Sequence, residues 1–150
     1  MAMTMTGQVT LPAARATVWE KLNNPEVLKA CIPGCQSLEK TSDTSFTAKV
    51  KVKLGPVSAN FTGAVQLTDI DPPNGYRIAG EGQGGIAGFA KGAANVRLTD
   101  APDGGTLLSY DVEANVGGKI AQMGSRLIDS VAKGMEDKFF ASFAGAYGPG

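Results

Sequence analysis

The strongest constraint in this chain of 150 residues is its last long periodic stretch, from about Gly118 to Phe143. Ile120, Met123, Leu127, Ile128, Val131, Met135, Phe139 and Phe143 recur every three or four residues. At about 100° per residue they form one apolar stripe, and Lys119, Gln122, Arg126, Asp129, Lys133 and Glu136 fall largely off it. The spacing predicts one amphipathic helix of about seven turns. Gly117-Gly118 breaks the preceding strand pattern, and Pro149 and Gly150 lie beyond the far end. Such a helix must lay its stripe against something, and nearly everything before it reads as β-strand.

Thr4 to Leu11 alternates loosely and stops at Pro12, as a first strand would. Ala13 to Leu22 carries Val18, Trp19 and Leu22 at helical spacing. Asn24 is then a candidate N-cap, with Pro25 at the first position of a short second helix that ends before Pro33-Gly34. Strands follow: Gln36 to Lys40, Phe46 to Leu54, Val57 to Leu67, Tyr76 to Gly82, Phe89 to Leu98 and Leu108 to Val116. From Phe46 to Leu54 the apolar residues alternate with Lys49, Lys51 and Lys53, and Val57 to Leu67 alternates likewise. Asp69 to Gly75, a glycine-rich corner after Gly82, and Asp100 to Gly105 read as the connections. Consecutive strands joined by short turns form an antiparallel meander. With one apolar face, that sheet curls around the long helix: an α+β helix-grip arrangement, as one domain over 1–150.

The inward face of this sheet is unevenly filled. Gly80 and Gly82 lie on the inner phase of their strand; Gly88, Ala90, Gly92 and Ala94 share a phase with Val96 and Leu98; Ala114 shares one with Tyr110 and Val112. Cores pack at about 0.75 density, so such small residues must be met by bulk from the helix or leave space. Two readings stand. Either an apolar cavity suits a flat or elongated hydrophobic ligand, or Met123, Leu127, Met135 and Phe139 fill the gap and the glycines only let the sheet bend.

Composition removes several function classes. There are 14 Lys plus Arg and 14 Asp plus Glu, so net charge is zero, and no basic run points to nucleic acid. No apolar run approaches the roughly 20 residues of a membrane span. The first residues lack a signal peptide's pattern, so a cytoplasmic protein is expected. The absence of histidine excludes histidine-based triads, imidazole bases and His-ligated zinc. Gly80-Glu81-Gly82-Gln83-Gly84-Gly85 satisfies G-x-G-x-x-G, but Ile86 to Leu98 reads as strand where a dinucleotide site needs a helix. Cys31 and Cys35 lie outside C-x-x-C spacing and read as two small residues bracketing a turn, not a metal clip or redox pair. Asp69, Asp71, Asp111 and Glu113 fall on loops or the outward phase, so no acid–base pair and no metal site is nominated. Trp19, the one tryptophan, reads as a core anchor.

Several segments together resemble a known family. Val18-Trp19-Glu20-Lys21-Leu22, Pro25 with Leu28, and Cys31-Ile32-Pro33-Gly34-Cys35 are similar to the opening of the G-subunit proteins of carbon monoxide dehydrogenase. Gly55-Pro56-Val57, Asp71-Pro72-Pro73, Gly88-Phe89-Ala90-Lys91-Gly92 and the run from Val116 to Arg126 continue the likeness, from about Met5 to Phe143. The resemblance implies the START-like (SRPBCC) superfamily, whose fold is the helix-grip. It further implies a non-catalytic accessory protein of aerobic molybdenum carbon monoxide dehydrogenase, or of a related molybdenum hydroxylase, that links the enzyme to the membrane quinone pool. The implied ligand is a quinone, menaquinone or ubiquinone, and the implied location is cytoplasmic with peripheral contact at the inner membrane face. Members often carry a variable tail beyond the domain, and this sequence stops at Gly148-Pro149-Gly150.

From inward phase, the expected lining residues are Val50, Phe61, Ile78, Phe89, Gly92, Tyr110, Met123, Leu127 and Val131, with Tyr110, Asn95 or Ser125 as candidates to orient a carbonyl. Two rivals accompany this reading. One is a recruitment adaptor with a filled core, supported by the Lys49, Lys51, Lys53 row; the other is a small hydrolase or cyclase of the same fold.

Overall fold

A computed structural model describes residues 2–145, the side chains of Leu54 and Val57 excepted. The expected inward facing of those two, and the stop at Pro149-Gly150, therefore lie outside the described residues. The chain runs β1 (Ala2–Leu11), α1 (Arg15–Leu22), α2 (Pro25–Cys31), β2 (Cys35–Ser42), β3 (Ser45–Leu54), β4 (Val57–Asp71), β5 (Gly75–Gln83), β6 (Phe89–Asp100), β7 (Thr106–Gly117) and α3 (Ser125–Gly145). The seven strands form one open antiparallel sheet in the order β1-β7-β6-β5-β4-β3-β2. The expected order of one strand, two short helices, six meandering strands and a long helix is the order found.

Local chemistry sets the boundaries. The Asn24 side chain accepts from the Glu26 backbone N–H at 2.9 Å and from Val27 at 3.5 Å, and Pro25 needs no N–H partner at the first turn of α2. Arg15 at the start of α1 pairs with Asp100 at 2.9 Å and also donates to Asn74, which ties α1 to the β4–β5 and β6–β7 turns. Thr106 is fully buried, and its hydroxyl donates to the Ala13 carbonyl at 2.6 Å, so no polar atom is stranded there.

The long helix starts later than its periodicity suggests. Lys119–Met123 is a separate 3-10 turn, and Gly124 at φ 95° interrupts the chain before α3 begins at Ser125. A left-handed backbone cannot continue an α-helix, and glycine adopts it without steric cost. The strand expected from Phe89 starts there, while Ile86 and Ala87, read as strand beside the glycine motif, lie in a short 3-10 turn at Gly85–Ala87. At the other boundary β4 runs on to Asp71, through a register irregularity after Thr68.

The α3 helix rests on the sheet near its two ends. One buried cluster joins Leu11, Leu67, Tyr76, Leu98 and Leu108 to Phe143, with Phe139, Phe140 and Trp19 packed against it. Phe139 stacks on Phe143 at 5.6 Å, and Trp19 meets Tyr76 edge-on at 5.2 Å, so the tryptophan is a core anchor. A second cluster joins Ala59, Ala87 and Val116 to Ile120 and Ile128, with Val52, Phe61, Met123 and Val131 around it. Between these two centres the sheet surface is rich in glycine and alanine, at Ala48, Gly63, Gly80, Gly82, Ala90 and Gly92.

Candidate functional site

Strand register brings the small residues together. Leu38, Ala48, Gly63, Gly82 and Ala90 are successive cross-strand partners in one row, and Phe46, Val65, Gly80, Gly92 and Ala114 in the next. Side chains two residues apart on a strand share a face, so the rows form one continuous floor. Over it lies an open-sided cavity of about 420 Å³, lined also by Val50, Phe61, Ile78 and Val112, by Leu38 of β2 and by Ile32 of the α2–β2 connection; among the described residues none from α3 lines it. That volume lies within the range of roughly 300–1,000 Å³ typical of small-molecule sites. A second cleft of about 400 Å³ separates α3 at Val131, Gly134 and Met135 from β3 at Val52, beside Pro33-Gly34.

Two causes account for the floor's glycines. A Cβ added at Gly92 would stand 2.6 Å from the Glu113 carbonyl oxygen, and one at Gly80 would stand 2.9 Å from that of Ala64. Neighbouring backbone requires glycine at both positions. At Gly82 the nearest atom to an added Cβ is 3.8 Å away, on Phe61, and at Gly63 it is 3.4 Å away. Neither position has a positive φ. Glycine in a strand costs about 0.5–1 kcal/mol relative to alanine, and at these two positions no steric demand offsets that cost. What their glycines do is leave the floor open.

Of the expected lining residues, Val50, Phe61, Ile78 and Gly92 stand on this cavity. Val131 lines the cleft beside it. The placement of Phe89 is corrected: it follows the phase of Lys91, opposite to Ala90 and Gly92, is 43% exposed, and lays its ring over Gly117. Tyr110 faces inward but is spent on packing: it stacks on Phe140 at 5.2 Å and crosses Gly7. Burial and a hydrogen bond to Glu136 push its phenol well above the usual tyrosine range. Met123 packs into the second cluster from the 3-10 turn, and Leu127 meets Gly55 at the β3–β4 turn, 3.5 Å from where a Cβ would stand. The late start of α3 puts both away from the floor.

Asn95 belongs to the outer face, where it accepts from Arg77 at 3.1 Å and donates to Asp111 at 2.9 Å. Ser125 is exposed at the start of α3. Ile32 and Leu38 line the cavity although inward phase does not nominate them; the alternation of Leu38 with Glu39 is the available signal.

The other motifs find plain structural places. Gly80 to Gly85 leads into a 3-10 turn and an antiparallel strand, without the parallel βαβ unit of a dinucleotide site. Cys31 and Cys35 are free thiols, raised above the ordinary range by burial. Among the described residues there is no group of three or more potential metal ligands, and no helix is long and apolar enough to cross a membrane.

Comparison with known proteins agrees with this architecture. Residues 7–147 match the model of the CoxG family, the G-subunit family of carbon monoxide dehydrogenase. The chain belongs to the CoxG family. A conserved protein from Geobacillus kaustophilus shares 33% identity over 95% of this chain and 93% of its own, with a TM-score of 0.88. A START superfamily protein from Mycobacterium smegmatis has a TM-score of 0.71 at 13% identity, covering 95% of each chain. The Zhui aromatase/cyclase from Streptomyces sp. R1128 has a TM-score of 0.70 at 13% identity, over 97% of this chain and 93% of its own. The last two likenesses establish the START-like helix-grip fold and nothing about chemistry. No curated protein matches the sequence significantly.

Proposed function

We propose that this CoxG-family protein is a non-catalytic carrier that takes a quinone into the open-sided cavity over the sheet's glycine and alanine floor and links a molybdenum carbon monoxide dehydrogenase to the membrane quinone pool. The observation that carries this reading is the open floor at Gly63 and Gly82, where glycine weakens the strands without a steric reason. A planar ring lies flat on a surface without side chains. The aliphatic walls at Val50, Ile78 and Val112 and the Phe61 ring offer dispersion contact to an isoprenoid tail. Burial of ligand surface, at about 25 cal/mol per Å², supplies the affinity. The family description, a subunit of carbon monoxide dehydrogenase, supports the choice of enzyme partner.

The filled-core adaptor reading requires side chains where the cavity stands. The cyclase reading rests on fold alone. The test is native mass spectrometry of the protein purified from cells whose membranes contain quinone, followed by calorimetric titration with a short-chain quinone. A bound quinone released on denaturation and a saturable titration are expected. No co-purifying quinone together with no binding would refute the carrier.

A further inference from the structure

The two edges of the open sheet are built differently. At one edge β2 pairs with β3 through two register irregularities, between Cys35 and Ser37 and between Lys40 and Ser42, and it carries Glu39 and Lys40. Bulges and charges of this kind keep an edge strand from pairing with another chain. At the other edge β1 holds ten consecutive residues in unbroken register with β7. Among the described residues no strand lies on its far side. From Ala2 to Leu11 it contains no charged side chain, no proline and no bulge. In an antiparallel pair every second residue turns its N–H and C=O away from the partner strand. The β1 edge therefore presents an unguarded row of backbone donors and acceptors.

This edge is complementary to a second copy of itself. Leu11 is fully buried where the chain turns toward α1, so the accessible edge is Ala2 to Thr10, and its centre is Thr6. In an antiparallel pair centred there, Thr6 faces Thr6 and Thr4 faces Gln8 on the exposed outer side, while Met5 faces Gly7 and Met3 faces Val9 on the inner side. A slip of one residue would set inner side chains opposite outer ones. Threonine and glutamine suit such a ladder, and no like charges are opposed. The neighbouring carboxylates do not oppose it either. Asp111, the β7 partner of Thr6, accepts from Asn95 at 2.9 Å, and Asn95 accepts from Arg77 at 3.1 Å. Across the seam the two Asp111 carboxylates stand three strand spacings apart, about 14 Å, beyond the screening length of about 8 Å. Glu113, beside Thr4, shares its row with the partner's Ser109. Glu136 and Asp137, which act on Tyr110 beside Gly7, both pair with Lys133 at 3.0 Å. A contact of β1 with the β2 edge would instead propagate without closing, and the irregularities of β2 work against it.

We infer that β1 is a homodimer interface, in which two copies pair their β1 strands about a twofold axis at Thr6 and join their seven-stranded sheets into one. An isologous contact of this kind closes on itself and covers both open edges at once. The inference stands apart from the carrier reading, because the edge lies in the plane of the sheet and the floor lies on its inner face.

Sedimentation velocity over a wide concentration range tests the interface. Wild type is expected to sediment as a dimer that dissociates on dilution. Thr4→Lys with Gln8→Lys in one chain sets lysine opposite lysine at two symmetric points, and is expected to raise the dimer Kd by about tenfold. Thr4→Lys with Gln8→Glu sets opposite charges at the same two points, and is expected to dimerise at least as tightly as wild type. Both positions are exposed on the outer face, beside Glu113 and Ser109 of β7, so the fold of each variant is retained, which a thermal melt checks. Gln36→Lys, on the β2 edge, is expected to change nothing. The inference is overturned if wild type is monomeric at every concentration, if it assembles beyond a dimer, or if the two double variants dimerise equally. Within one strand positions 4 and 8 are too far apart for their charges to pair, so only the twofold register separates the two variants.

Discussion

Gly82 offers the sharpest test of the cavity, because it separates occupancy from folding. An added Cβ there meets its nearest neighbour at 3.8 Å, an ordinary van der Waals contact. Gly82→Ala should therefore stabilise the fold by about 0.4–1 kcal/mol, through the lost freedom of the unfolded chain. For a domain of this size the midpoint rises by about 2–4 °C per kcal/mol. Gly82→Leu extends four carbons over the floor and excludes a comparable number of ligand carbons. At about 0.8 kcal/mol per buried methylene this removes about 3 kcal/mol of binding, more than 100-fold in Kd. Gly92→Ala is the internal contrast, since its Cβ would stand 2.6 Å from the Glu113 oxygen and should destabilise the protein. Differential scanning calorimetry and titration with a short-chain quinone read the two quantities. Wild-type affinity in the Gly82→Leu protein would refute the floor as the ligand site. A lowered midpoint in the Gly82→Ala protein would refute the claim that the space is open.

Three further outcomes follow from local chemistry. Asn24→Ala removes the acceptor for the Glu26 and Val27 amides and should cost about 1 kcal/mol, read as a fall in the thermal midpoint. Tyr76 is buried and its phenol is pushed above the usual range, so the folded state holds that proton after the unfolded chain begins to release it near about pH 10. Its contribution is fully present below that pH and is lost as pH rises further toward the folded value. Tyr76→Phe should make alkaline unfolding measurably less steep, and an unchanged slope would contradict the assignment. Burial raises both thiols, so iodoacetamide at neutral pH should modify half-buried Cys35 slowly and buried Cys31 only on unfolding. Rapid modification of both in the native protein would point to an activated pair.

The order of elements was legible because one face of the sheet is buried and the other is wet. Along β3 the alternation of Phe46, Ala48, Val50 and Val52 with three lysines leaves only one way to set the strand. Asn24-Pro25 marked a helix start for a reason that survives in the structure. The start of α3 was not legible, because Ile120 and Met123 continue the apolar spacing through a 3-10 turn while the break at Gly124 lies in a backbone angle. Phe89 was also misplaced, counted with the inward-facing residues although Ala90 and Gly92 hold that phase. Its phase put it outside with Lys91, and its ring covers Gly117 instead of the cavity. The small residues of the floor could be assigned to the inner face strand by strand. Their assembly into adjoining rows depends on register, which no single strand reveals.

The separation of the two cores explains how the fold tolerates an open middle. Leu11, Leu98, Leu108 and Phe143 are essentially excluded from solvent at one end, and Ile120 and Ile128 close the other. Large buried side chains contribute about 1.5–3 kcal/mol each, and here they lie beyond the floor. The α3 helix is pinned at both contacts, by Phe143 among Leu11, Leu98 and Leu108 and by Phe140 on Tyr110 at one, and by Ile128 and Val131 at the other. Its central turn meets the sheet through the hydrogen bond of Glu136 with Tyr110 of β7, and Glu136 also pairs with Lys133 at 3.0 Å. A ligand on the floor lies where no α3 side chain stands, so it would displace few native contacts, and its burial would add to stability instead of competing with it. On this arrangement the thermal midpoint should rise with short-chain quinone concentration in wild type and stay flat in the Gly82→Leu protein. A rise of equal size in both would place the ligand somewhere other than the floor.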